Sequence, residues 1–391
     1  MATSQLNAIV DHETRNRAAQ KLGSRLMSLD VFRGATIAAM ILVNNPGDGP
    51  SSYWPLKHSV WNGWTPTDLV FPFFLFIVGV AMAFSLQNRV QRGESRQKLL
   101  LHVLWRGVLL FAIGMFLNGF PDRYHLGSWR VYGVLQRISI CYVIAAILEL
   151  WFGWRQQLAV IAVCLVGYWV LMRYVPVPGL GVPTHDFPIL DPDRNLAAWL
   201  DRKVLAGHLY EGTRDPEGIL STIPAIATAL LGLLTGKWLS SRQSETVKLR
   251  GLLASGVVGV TIGMVMNIWF PINKKLWTSS FVVFAAGLAL IGLAICYQVL
   301  DLKRWRGRWT VPFLVFGMNS IAAYVLSEVM PAILNFRAGN TGVSWREFIY
   351  EDVLREFASP PNASLLYAMT YVFVCWLAMY VLYRKRIFLK I

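Results

Sequence analysis

Ten separate runs of predominantly apolar residues, each near the length of a membrane span, constrain this chain more than any other feature. A helix rises about 1.5 Å per residue, so roughly 20 such residues cross the hydrocarbon core of a bilayer. The runs fall near 28–45, 67–87, 99–120, 132–152, 157–175, 219–240, 251–271, 277–299, 311–334 and 362–383. The bilayer interior offers no hydrogen bonds to an open backbone, so runs of this length are read as helices. The expected fold is an all-α polytopic membrane protein with about ten transmembrane helices. Composition agrees: 15% of the 391 residues are charged, against about a quarter in soluble domains.

The net charge of +15 invites a nucleic-acid reading, but the placement of the cations argues against it. With the N-terminus in the cytoplasm, 21 of the 37 Lys and Arg fall in the segments on that side. They cluster at Arg89–Lys98, Lys237–Arg250, Lys303–Arg308 and the chain end, among others. This positive-inside bias puts both termini in the cytoplasm, and no nucleic-acid partner is expected. Residues 1–24 read as a cytoplasmic tail without the apolar core of a signal peptide, and 25–391 as one transmembrane domain. Periplasmic loops are expected near 46–66, 176–218 and 335–361. The middle one is rich in Pro, Gly and Asp, with a short helix expected near 195–205; loops this long usually carry function. Cys141, Cys164, Cys296 and Cys375 all lie within apolar runs, so neither disulfides nor a metal site is expected.

Ionisable groups inside spans cost roughly 2.5–3.5 kcal/mol on insertion scales, so each needs a partner or a task. Arg33 and Arg106 lie in the inner halves of the first and third runs. Asp30 shares a helix face with Arg33, so a structural ion pair and an inner phosphate-binding pocket both fit. Towards the outer side, Asn44 closes the first run, Asp68 opens the second and Arg137 sits one turn into the fourth. Glu328 lies in the outer part of the ninth run, and Asp215 and Glu217 of "RDPEG" mark where the long loop re-enters. Between Asn44 and Asp68, the stretch "YWPLKHSVWNGWTPTDLVFPFFLFIVG" carries His58. Asp68 is placed to orient His58 as a base, although a solvated loop histidine fits the same residues. Trp61, beside His58, suits either sugar stacking or anchoring at the membrane interface. No phosphate-binding G-x-x-x-x-G-K-[ST], G-x-S-x-G or HExxH occurs.

Several segments occur in an order that resembles the heparan-α-glucosaminide N-acetyltransferase family: "RLMSLDVFRG", the His58 stretch, "GVLQRISICYVIAAILEL", "DPEGIL", "INKKLWTSSFV", "GMNSIAAYVLSE" and "LYRKRIFLKI". The resemblance runs from about residue 25 to 391. It implies a multi-span enzyme that takes acetyl from cytoplasmic acetyl-CoA and delivers it across the membrane to a glucosamine amine, without a metal and as a homodimer. The family's histidine falls on His58, its asparagine on Asn44 and its aspartate on Asp68. Arg33, Arg106, Arg137 and Asn319 fall on motif positions and are expected to serve acetyl-CoA. Asp215, Glu217, Glu328 and Trp61 are the expected acceptor-side groups. The extra luminal domain and preceding span of eukaryotic members are not expected here, and the stretch from Asn44 to His58 is a few residues longer. A bacterial inner membrane and a periplasmic amino sugar are therefore expected in place of heparan sulfate. The rival readings are an O-acyltransferase acting on a cell-envelope polysaccharide and an amino-sugar transporter.

Overall fold

The computed structural model describes residues 26–120, 125, 127–335 and 343–389; the tail expected over 1–24 and part of the 335–361 loop lie outside the described residues. The helices are α1 (Met27–Asn44), α2 (Val70–Gln91), α3 (Arg96–Gly119), α4 (Val134–Trp151) and α5 (Trp154–Tyr174). They continue with α6 (Leu196–Val204), α7 (Thr222–Ser240), α8 (Glu245–Met266), α9 (Ser279–Tyr297), α10 (Val311–Met318), α11 (Ser320–Leu334) and α12 (Pro360–Arg384). Among the described residues, nine helices are long and apolar enough to cross a membrane, and ten if a bent pair counts as one span. The short α6 forms where a helix is expected, and the Asn195 side chain caps it by accepting from Ala198 N at 2.9 Å.

The bent pair departs from its expectation. The run at 311–334 reads as one helix, yet α10 and α11 meet at 77°. Asn319 sits at the break with φ −128° and ψ 42°. Its amide is committed to the chain end: Nδ2 donates to Ile387 O at 3.1 Å, and Oδ1 accepts from Leu389 N at 2.9 Å. The Gly317 carbonyl near the break takes a hydrogen bond from Arg33 Nη1 at 3.0 Å. A broken helix survives at membrane depth when side chains satisfy its freed groups in this way.

In lipid, helices associate through close packing more than through apolar burial, and small residues permit it. At the α2–α7 contact, a Cβ on Gly79 would overlap the Ala229 carbonyl, and one on Gly232 would overlap that of Phe76. These glycines hold α2 at the centre of the bundle. Successive spans alternate in direction, so the loops carrying His58, Asp215 and Asn273 gather at one face. Gly63 N donates to Ile272 O at 2.8 Å, and Trp61 Nε1 to Leu190 O at 2.7 Å, tying those loops together. The basic connections around Arg89, Lys237 and Arg304 emerge at the opposite face.

Candidate active site

A short 3₁₀ turn, Pro66–Leu69, leads into α2 and buries Asp68 completely. Asp68 Oδ2 accepts from Ser59 N and Thr65 N, both at 3.0 Å. Its other oxygen lies 2.7 Å from His58 Nδ1. With both backbone donors on Oδ2, Oδ1 is an acceptor for Nδ1–H, which leaves the lone pair on Nε2. The His58 side chain is 44% exposed, so this nitrogen is reachable from the face on which it sits. Thr65 Oγ1 donates to Lys57 O at 2.6 Å and Thr67 Oγ1 to Pro55 O at 2.9 Å, fixing the turn that presents the pair.

Beside this pair lies a network of buried charge. Arg130 bridges Asp215 and Glu217, with Nη2 at 2.6 Å from each. Burial pushes the Glu217 carboxyl up, but Arg130 and Arg137 outweigh it and hold the group below its usual range. Arg137 is fully buried at the start of α4, donating to Ser221 Oγ at 2.5 Å and to Gly218 O at 3.2 Å. Its guanidinium lies over the Trp277 ring, 5.0 Å from the centroid. Two of its nitrogens, Nε and Nη1, have no hydrogen-bond partner among the described residues. Lys274 Nζ stands 3.5 Å from His58 Nδ1.

Asp201 on α6 accepts from Ile219 N at 2.9 Å, and burial raises its pKa from 3.8 to about 6. A pKa raised by folding means that the folded state binds the proton more tightly. The stabilisation is complete below pH 3.8 and is lost as pH rises through about 6. Asp201→Asn keeps the acceptor oxygen and removes the charge. It is expected to raise stability at pH 7.5, by up to about 3 kcal/mol, and to flatten the pH dependence between 4 and 7. Thermal melts of the detergent-solubilised protein across that range measure this.

A cavity of about 460 Å³ occupies the other half of the bundle. Along α2 it is lined by Phe74, Val78, Ala81, Ser85 and Arg89, one stripe at helical spacing. That stripe covers roughly 22 Å, and Asp68 lies roughly 10 Å beyond Phe74 along the same axis. Arg33, Arg89, His102 and Arg106 line the cavity towards the face opposite His58. Leu110, Leu135 and Ile138 make its walls apolar. Arg89 is held by Glu94 at 2.7 Å, Arg33 by Asp30 at 3.3 Å, and Arg106 lies 5.2 Å from the Tyr142 ring centroid.

The expected site residues therefore divide. His58 and Asp68 meet, and Arg33 and Arg106 share the cavity. Arg137 lies near Trp277 and does not line the cavity, and neither does Asn319, which sits between the lining residues Met318 and Ser320 and holds the tail whose Leu389 lines it. Asn44 is exposed at the end of α1, with no hydrogen bond to His58 or Asp68 among the described residues. Asp215 and Glu217 are engaged by Arg130, and Glu328 hydrogen-bonds Tyr324. Trp61 carries Arg214 at 5.0 Å and Lys275 at 5.9 Å from its ring centroid. Sequence reasoning passed over Arg130 and Lys274. The paired acids of "RDPEG" signalled a need for a cation, whereas nothing in "INKKLW" singled out its first lysine.

A histidine–carboxylate pair at one face, aligned through the bundle with an arginine-lined cavity at the other, defines the chain as a polytopic helical membrane protein. The chain belongs to the heparan-alpha-glucosaminide N-acetyltransferase family, whose catalytic-region profile matches residues 25–264. It is 33% identical to the mouse heparan-alpha-glucosaminide N-acetyltransferase over 99% of its own length and 63% of that protein's. To the human protein of the same name it is again 33% identical, over 95% of this chain and 60% of that one. The chain thus spans somewhat under two thirds of the curated relatives it matches.

Proposed function

We propose that the protein is a transmembrane N-acetyltransferase that moves acetyl from acetyl-CoA to the amino group of a glucosamine-type sugar. The observation that carries this reading is the alignment of the cavity with His58 along α2. Cations at the far end suit the phosphates of CoA, and Arg is the residue best shaped for them. The apolar walls suit the pantetheine arm, which brings the thioester towards Asp68 and His58. The crowding of Lys and Arg opposite His58 supports a bacterial inner-membrane orientation with the CoA side in the cytoplasm and the sugar in the periplasm.

At the His58 face, Nε2 takes one proton from the sugar ammonium, and Asp68 stabilises the imidazolium that results. The freed amine forms a C–N bond to the thioester carbonyl carbon. Arg137, whose Nε and Nη1 have no hydrogen-bond partner among the described residues, is the candidate donor to the developing oxyanion. On collapse the C–S bond breaks, the thiolate leaves with the proton from His58, and the second ammonium proton passes to solvent. An acetyl group carried transiently on His58 starts from the same free Nε2. Purified protein given labelled acetyl-CoA and glucosamine is expected to form N-acetylglucosamine. Label on a sugar hydroxyl, or passage of unmodified sugar without acetylation, refutes the reading.

A further inference from the structure

We propose that Lys274 is an electrostatic positioning residue of the His58 centre, set there to disfavour both a second proton on His58 and the ammonium form of the acceptor. The proposal rests on the N-acetyltransfer reading above. Lys274 Nζ lies 3.5 Å from His58 Nδ1, but the hydrogen on that nitrogen is already committed to Asp68 at 2.7 Å. An ammonium has only donors, so the approach is a contact of fields and not a hydrogen bond. Its neighbour Lys275 is spent on an ion pair with Glu211 at 2.8 Å. Lys274 has no carboxylate within ion-pair distance among the described residues.

The loop that carries Lys274 is built to keep it there. Asn273 is fully buried; its Nδ2 donates to Asn62 Oδ1 at 3.2 Å and its Oδ1 accepts from Leu276 N at 2.9 Å. Trp277 adopts φ 51°, a left-handed conformation that bulky residues rarely take. It is fixed by burial, by a hydrogen bond from Nε1 to Thr228 Oγ1 at 3.1 Å and by edge contacts with Phe71 and Phe281. Strain retained by so many contacts marks a backbone whose shape matters at the site.

The groups facing Lys274 come from several elements. Burial lowers its pKa; Glu217 and Asp68 attract its charge, while Lys275 and Arg137 oppose it. A sugar ammonium arriving at Nε2 enters the field of this cation and sheds its proton more readily. Two unit charges at such a separation near a protein surface shift a proton equilibrium by about one pH unit or more.

Lys274→Met and Lys274→Gln are compared with wild type in the pH dependence of kcat/KM for glucosamine. The acidic limb is expected to move up by about one unit in both, which is about tenfold in rate on that limb, and Lys274→Arg is expected to restore it. A lysine with a merely structural role would lower the rate at every pH and leave the limb in place, and that result overturns the proposal. Modification of His58 by diethyl pyrocarbonate, read against a His58→Ala background, asks the same question without any acceptor. Its pH midpoint is expected to rise in step. An unmoved midpoint sinks the Lys274 role while leaving the acetyltransferase reading intact. Absence of acetyl transfer by wild type removes that reading instead.

Discussion

His58→Ala is expected to remove acetyl transfer almost completely, with turnover down by about 10²–10⁴-fold or more and the protein still folded. The side chain is 44% exposed and, among the described residues, its ring bonds only through Nδ1, so its loss leaves no core cavity. Acetyl-CoA binding is expected to persist, because the cations lining the cavity are on other elements. Asp68→Asn is expected to be nearly as damaging. The two backbone N–H groups on Oδ2 will keep the amide oxygen there and turn its NH₂ towards His58. Nδ1 must then accept, which puts the ring hydrogen on Nε2, the wrong nitrogen for a base. Single-turnover transfer from labelled acetyl-CoA measures both. A His58→Ala protein that keeps more than about a tenth of wild-type turnover removes this residue from the chemistry.

Arg106→Gln is expected to raise the KM for acetyl-CoA about ten- to a hundred-fold and leave that for the sugar nearly unchanged. The KM for acetyl-pantetheine, which lacks the nucleotide, is expected to stay where it was. Arg33→Gln is expected to behave differently, because Arg33 also bonds Gly317 O beside the break between α10 and α11. It should lose stability as well as donor affinity. An Arg106→Gln enzyme with unchanged acetyl-CoA dependence returns Arg106 to a packing role against Tyr142.

The spans were legible because bilayer thickness imposes a length, and hydropathy reports it residue by residue. The break at Asn319 was not. Apolar residues continue on both sides of it, and its partners, Ile387 and Leu389, arrive from the end of the chain. His58 and Asp68 are ten positions apart on one strand of sequence, and the distance is short enough for pattern reasoning to pair them. Lys274 is separated from His58 by 216 positions and Arg130 from Asp215 by 85, and a lysine or arginine in a loop raises no alarm. Asp215 and Glu217 drew notice as acids facing outwards, yet their oxygens are bound to Arg130. Burial of charge, unlike hydropathy, becomes visible only when distant segments are packed together.

The central claim is that the donor is bound on one side of the membrane and the acceptor acetylated on the other. Vesicles reconstituted with the protein in one orientation, acetyl-CoA added to the cavity side only and glucosamine present on the His58 side only, test it directly. The account predicts N-acetylglucosamine in the sugar's compartment, free CoA in the donor's, and no acetyl-CoA crossing. Product that forms only when both substrates share one compartment contradicts it.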